Sequence, residues 1–173
     1  MKNKLFFSVI VLVMLLSVHS MAVDVPFDVQ TKLMLKILSM DRNFDRFGTP
    51  VKIGSNSDDF IKAMNALKGM TISGKDFVVE KMASPDDVAK FKVVYIGKSW
   101  AANYSAISAK AAASQCLVFC ESEDGVANGG ASVSFKVVDN TPKIVVNIDN
   151  SKKQGTDFPA NFLKVTVIVG GLN

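Results

Sequence analysis

Residues 129–163, GGASVSFKVVDNTPKIVVNIDNSKKQGTDFPANFL, constrain the fold more than any other part of the chain. Val133, Phe135 and Val137 alternate with Ser132, Ser134 and Lys136. Successive side chains of a strand point to opposite faces, so this period marks a strand with one buried side. A second run, 143–148, is rich in β-branched residues and stops at Asp149 and Asn150. Between the runs stand Asp139, Asn140, Thr141 and Pro142. Asp and Asn side chains bond nearby backbone, and proline cannot donate to a ladder, so these four read as a loop. The stretch predicts an antiparallel hairpin with a longer loop, a polar turn, and a final amphipathic segment.

Upstream, helix and strand patterns alternate. Leu33, Met34, Ile37, Leu38 and Met40 form one apolar stripe within a helix over 26–42. Strands are predicted at 51–54, 77–82, 93–97 and 116–121; the third is apolar on both faces and therefore central. Ser57 or Asp58 caps a helix that Gly69 ends. Ser84-Pro85-Asp86-Asp87 opens a short helix, with proline at its first position and carboxylates at the positive end of its dipole. Ser99 is placed to cap an Ala-rich helix running to about residue 113, and 121–125 forms an acidic turn. This order predicts an α/β fold of three layers: a mainly parallel sheet, helices on both faces, and the C-terminal antiparallel hairpin at the edge. Val165, Thr166, Val167, Ile168 and Val169 favour a strand by β-branching.

The first residues bear on compartment. Lys2 and Lys4 precede an apolar run over 5–18, and Ser20-Met21-Ala22 is a small-x-small site. That pattern predicts a secretory signal peptide, residues 1–22, with cleavage before Val23 and a single exported domain over 23–173. The run is shorter than the roughly 20 residues that span a bilayer. Without Lys2 and Lys4, 18 basic residues face 16 acidic ones, a net charge of +2. So weak a charge, spread along the chain, gives no basis for nucleic-acid binding.

The one histidine, His19, leaves with the signal peptide. A Ser-His-Asp triad, a histidine-ligated metal and a histidine general base are then excluded from the exported chain. No catalytic constellation, cofactor motif or metal site stands out. Gly97-Lys98-Ser99 follows a strand, but the phosphate loop would need glycine where Lys92 stands. Glu121, Glu123 and Asp124 lack the alternating ligands and distant Glu of a calcium loop. Cys116 and Cys120 fall within one predicted strand, which sets their Cα atoms about 13 Å apart. A disulfide needs roughly 4.4–6.8 Å, so no mutual bond is expected.

Two clusters are candidate binding residues. Trp100 and Tyr104 share a helical face just beyond the third strand. Ligands collect at the carboxyl ends of parallel strands, where these two and Ser99 can edge a small pocket. Asn147, Asp149, Lys152 and Lys153 follow the hairpin, and the two amines can receive a carboxylate or phosphate. Ordinary half-buried packing is the favoured reading of the first cluster, and a turn held by Asn and Asp with solvated lysines that of the second. Phe158 and Phe162, four apart, read as core.

The C-terminal third resembles the YfiR-like (HmsC-like) periplasmic family. The order of features carries the resemblance: Gly129-Gly130, Phe135, Asn147, Lys152-Lys153, Gly155 and Leu163. Typical members have Arg in the basic pair, Ser-Ser at Pro159-Ala160 and Leu-Leu at Phe162-Leu163. The resemblance implies a helix beginning near Pro159, and we take 158–169 as that helix. It also implies a non-enzymatic regulator that restrains an inner-membrane diguanylate cyclase through its periplasmic domain. Cyclic di-GMP and biofilm formation would follow. Homodimers are common among members, and some serve as input domains of sensor proteins. The alternative is a periplasmic module that binds a small ligand at the strand-end pocket.

Overall fold

The computed structural model describes residues 24–170. The proposed signal peptide lies outside them. Five strands run parallel: β1 (Val51–Ser55), β2 (Phe77–Lys81), β3 (Val93–Ile96), β4 (Leu117–Cys120) and β5 (Val133–Val138). β6 (Thr141–Asn147) returns antiparallel to β5, and β7 (Val167–Val169) lies parallel to β6. Their order across the sheet is β2-β1-β3-β4-β5-β6-β7. The mainly parallel three-layer architecture is therefore the observed one, with the hairpin near the C-terminal edge and one further strand outside it.

Helices cover both faces. On one side α1 (Phe27–Ser39) and α2 (Asp58–Asn65) supply Met34, Ile37, Leu38, Phe60 and Met64, which pack on Ile53, Val93, Tyr95, Leu117 and Phe119. On the other, α3 (Tyr104–Ser114) and α4 (Glu123–Ala127) supply Ile107, Ala111 and Val126 against Val94, Ile96, Val118 and Val145. Alternate residues of each central strand thus feed two separate cores, as the pleat requires. Tyr95 joins three elements. Its ring stacks on Phe60 at 3.8 Å and 5°, and its hydroxyl donates to Gln30 Oε1 at 2.8 Å. Gln30 in turn donates to the Val25 carbonyl, which fixes the chain entering α1.

Three local expectations need correction. The hairpin loop is only two residues long. Asp139 and Asn140 both adopt left-handed backbone (φ 49° and 58°), the turn whose twist matches the strands, and Thr141 and Pro142 belong to β6. Pro142 is tolerated because it faces Val137 one pair beyond the turn, where its nitrogen points away from β5, and β7 reaches no further than Val145. The helix expected over 158–169 shrinks to one turn, α6 (Ala160–Leu163), after Pro159. The β-branched residues beyond it extend and occupy the free side of β6. Lastly, Ser99 is not a helix cap. A 3-10 segment (Lys98–Asn103), with non-helical backbone at Trp100, precedes α3, and the Ser99 hydroxyl accepts from Asn56 instead.

The 3-10 turn Pro85–Lys90 follows the sequence closely. Asp87 accepts from the Ser84 and Ala83 amides and from Lys90. The Lys90 ammonium first, then those two amides, hold the Asp87 carboxyl below its ordinary value. The cap is therefore fully formed above the pKa of a free aspartate and loosens only as pH falls through the lowered value. An NMR titration should show Asp87 protonating below the range of ordinary aspartates.

Candidate functional site

The strand order reverses between β1 and β3, where ligands collect in open α/β sheets. Here that point is bridged by the protein. Asn56 Oδ1 accepts from the Gly97 amide at 2.8 Å, its Nδ2 donates to Ser99 at 2.9 Å, and Lys81 donates to its carbonyl. Tyr104 is only 4% exposed, and it lies so close to Gly125, through its ring, and to Gly129, through its Cβ, that a Cβ at either glycine would clash with it. Trp100 is half-buried against the same core. The structure places both in packing between α3, α4 and the sheet.

The second cluster divides. Asn147 is 8% exposed. It caps α5 (Ile148–Lys153) by accepting from the Asn150 amide and donates to the Val126 carbonyl. Its role in the geometry is to shape the turn. Lys152 and Lys153 are both exposed on α5 but line different hollows. Lys153 borders a shallow one of about 180 Å³ beside Ser108 and Gly130. Lys152 borders the largest recess described, about 560 Å³, together with Arg42, Arg46, Gln115 and Asp157.

That recess lies at the amino end of β4, remote from the switch point. A polar seam builds its floor. After α1 ends, the Asp41 carboxylate turns inward and accepts from the amides of Asn43 at 3.0 Å and Asp157 at 2.9 Å. The Arg42 amide donates to the Asp157 carbonyl, and Asn43 donates to that of Gly155. Arg46 spans the gap: Nη1 donates to the Gln115 carbonyl at 2.5 Å and Nη2 to Thr156 at 2.9 Å. Its guanidinium lies 4.3 Å from the centre of the Phe47 ring and 3.6 Å from Asp41. Burial lowers the Arg46 pKa, and the Asp41 charge opposes that shift. With an ordinary value near 12.5 the group stays a cation.

A second cavity of about 390 Å³ opens beside the first and shares Arg42, Lys152, Thr156 and Asp157 with it. Its remaining lining is largely apolar, from Ile148, Phe158, Ala160 and Leu163. Together they offer a charged rim of both signs, Arg42 and Lys152 beside Asp45 and Asp157, leading to an apolar slot of the kind that holds a small molecule. Of its residues, the sequence singled out Lys152 as a candidate. Arg42, Arg46, Gln115 and Asp157 went unnoticed because 69 to 115 positions separate the segments they join. The available signal was two arginines four apart beside Phe44 and Phe47. Among the described residues no group of three His, Cys, Asp or Glu side chains is placed to hold a metal ion.

A model of the YfiR/HmsC-like family matches residues 42–166, which include the recess and six of the seven strands, β1 to β6, in full. The chain belongs to the YfiR/HmsC-like family. The family is one of periplasmic regulatory proteins that act through partner proteins. No curated protein matches the chain. Solved structures match in fold alone. A conserved domain protein from Vibrio cholerae O1 biovar El Tor is 16% identical with a TM-score of 0.55, covering 83% of this chain and 60% of that one. The ligand-free, open structure of CD0873, a substrate binding protein with adhesive properties from Clostridium difficile, is 16% identical with a TM-score of 0.55, covering 85% and 61%. The ABC domain in complex with L-Trp from Streptococcus pneumoniae is 13% identical with a TM-score of 0.54, covering 83% and 62%. The chain spans less than two thirds of each of these proteins. Among the described residues no helix is long and apolar enough to cross a membrane.

Proposed function

We propose that this chain is a periplasmic regulator that binds the periplasmic domain of an inner-membrane diguanylate cyclase and represses it, lowering cyclic di-GMP and biofilm formation. The family match over residues 42–166 carries this reading. The leader over 1–22 supports export, and a mature chain without histidine fits a role in recognition. Regulation requires free and ligand- or signal-bound states that differ in affinity for the membrane partner. Homodimer formation belongs to the same proposal. Titrating the purified chain into the isolated periplasmic domain of such a cyclase, followed by calorimetry, should give saturable binding. Absence of heat and of co-elution at tens of micromolar, roughly the weak limit for a specific complex, would count against it.

The paired cavities favour a second reading, a small-ligand sensor. It moves the ligand from Trp100 and Tyr104 to the recess bordered by Arg42 and Lys152. Aromatic carboxylates should raise the melting temperature of the native chain. The double substitution Arg42→Ala, Lys152→Ala should abolish that rise and leave the unliganded melting temperature within about 1–2 °C, since both side chains are exposed. A rise that survives the double substitution would place the ligand elsewhere.

A further inference from the structure

Cys116 and Cys120 are both free and both wholly buried, on the same side of the sheet. Cys120 ends β4, and Cys116 immediately precedes it. β4 is an interior strand: Leu117 to Cys120 pair in register with Val93 to Ile96 of β3, and Phe119 pairs with Val133 of β5. Four extended steps hold the two Cα atoms about 13 Å apart. A disulfide closes only when they approach to roughly 4.4–6.8 Å. The bond and the strand therefore exclude each other. In the unfolded chain nothing holds them apart. Only Leu117, Val118 and Phe119 intervene, and closing so short a loop costs little chain entropy.

We propose that this pair is a redox gate on folding: a Cys116–Cys120 disulfide formed before β4 pairs blocks the native sheet, and the finished sheet shields both thiols from oxidation. The chemistry needs a disulfide oxidant such as oxidised glutathione. One cysteine thiolate attacks it, forming a mixed disulfide and releasing one glutathione thiolate. The second cysteine thiolate then attacks the protein sulfur of that mixed disulfide and expels the other glutathione. Two protein thiols lose two electrons, glutathione disulfide gains them, and the two protons pass to the departing thiolates. In the folded chain this route is closed on two counts. Neither sulfur is reachable by solvent, and burial raises the Cys116 pKa to about 12 and that of Cys120 further, so the nucleophilic thiolate is scarce.

The gate would act wherever the chain meets an oxidising compartment, because folding must then outrun thiol oxidation. It does not depend on the identity of the regulator's partner.

The test uses the purified chain, unfolded in guanidinium and fully reduced. One portion is oxidised with glutathione disulfide while unfolded, and its monomer carrying the Cys116–Cys120 bond is isolated and confirmed by peptide mass. Both portions are diluted from denaturant and followed by circular dichroism and thermal melting. The reduced chain should regain a cooperative melt. The bridged chain should show none until dithiothreitol is added, which makes the same sample its own control for reversibility. The double variant Cys116→Ala, Cys120→Ala should refold with or without the oxidant. If that variant does not fold, alkylation of the native wild-type chain decides: both thiols should react only at the rate of global unfolding. A bridged monomer with the native melt, failure of the bond to form in the unfolded chain, or rapid alkylation of the native thiols would overturn the proposal.

Discussion

Replacing Arg46 with alanine will lower the unfolding free energy by about 3 kcal/mol, the low end of what removing one partner of a buried ion pair costs. The Asp41 side chain is fully buried, and its Oδ1 accepts two backbone amides. Its Oδ2 has no hydrogen bond and relies on the Arg46 cation 3.6 Å away. Alanine leaves that charge without compensation and frees the Gln115 carbonyl and the Thr156 hydroxyl together. The low end applies because Arg46 is 17% exposed, so water can replace part of its contribution. Lysine will restore charge but not the fork that reaches two acceptors, and its cost will fall between wild type and alanine. Urea unfolding should show a lower midpoint with an unchanged slope, the signature of lost stability without a changed unfolded state.

Phe60→Ala will cost about 3–5 kcal/mol, the range for emptying a buried aromatic site. Phe60 is wholly buried, and it lies flat on Tyr95 at the middle of the sheet. Its loss removes a hydrophobic face of both α2 and β3 and leaves Tyr95 beside a void. At about 2–4 °C per kcal/mol for a domain of this size, the melting temperature falls by roughly 6–20 °C. Phe60→Leu refills most of the volume and should recover more than half of the loss. Equal losses for alanine and leucine would show that the flat aromatic contact, not the filled volume, is what stabilises the pair.

What the sequence made legible follows from how local each signal is. Capping at Ser57, the Ser84-Pro85-Asp86-Asp87 turn and the all-apolar run of β3 depend on neighbours within a few residues, and each appears in the structure. The hairpin was legible for the same reason, but its loop length was not. Pro142 ordinarily breaks a ladder, and only the short reach of β7 leaves its nitrogen unneeded. Residues 158–169 carried two conflicting signals, a helix start at Pro159 and a β-branched tail. The structure satisfies both in sequence, one turn and then β7, because the outer side of β6 was free. The recess was largely hidden. Arg42 and Arg46 meet Gln115, Lys152 and Asp157 only after the ends of α1, β4 and α5 converge, and no spacing in the chain records that convergence. Tyr104 packs against Gly125 and Gly129, while Trp100 sits half-buried on kinked backbone beside it, contacts that no spacing in the chain records.

The most direct measurement is cyclic di-GMP in cells that carry an inner-membrane diguanylate cyclase with a periplasmic domain, with and without this chain expressed with residues 1–22 in place. Exported chain should lower the nucleotide several-fold, and a version lacking residues 1–22 should leave it unchanged. Nucleotide levels that stay the same while the exported chain is bound to the cyclase would contradict the account.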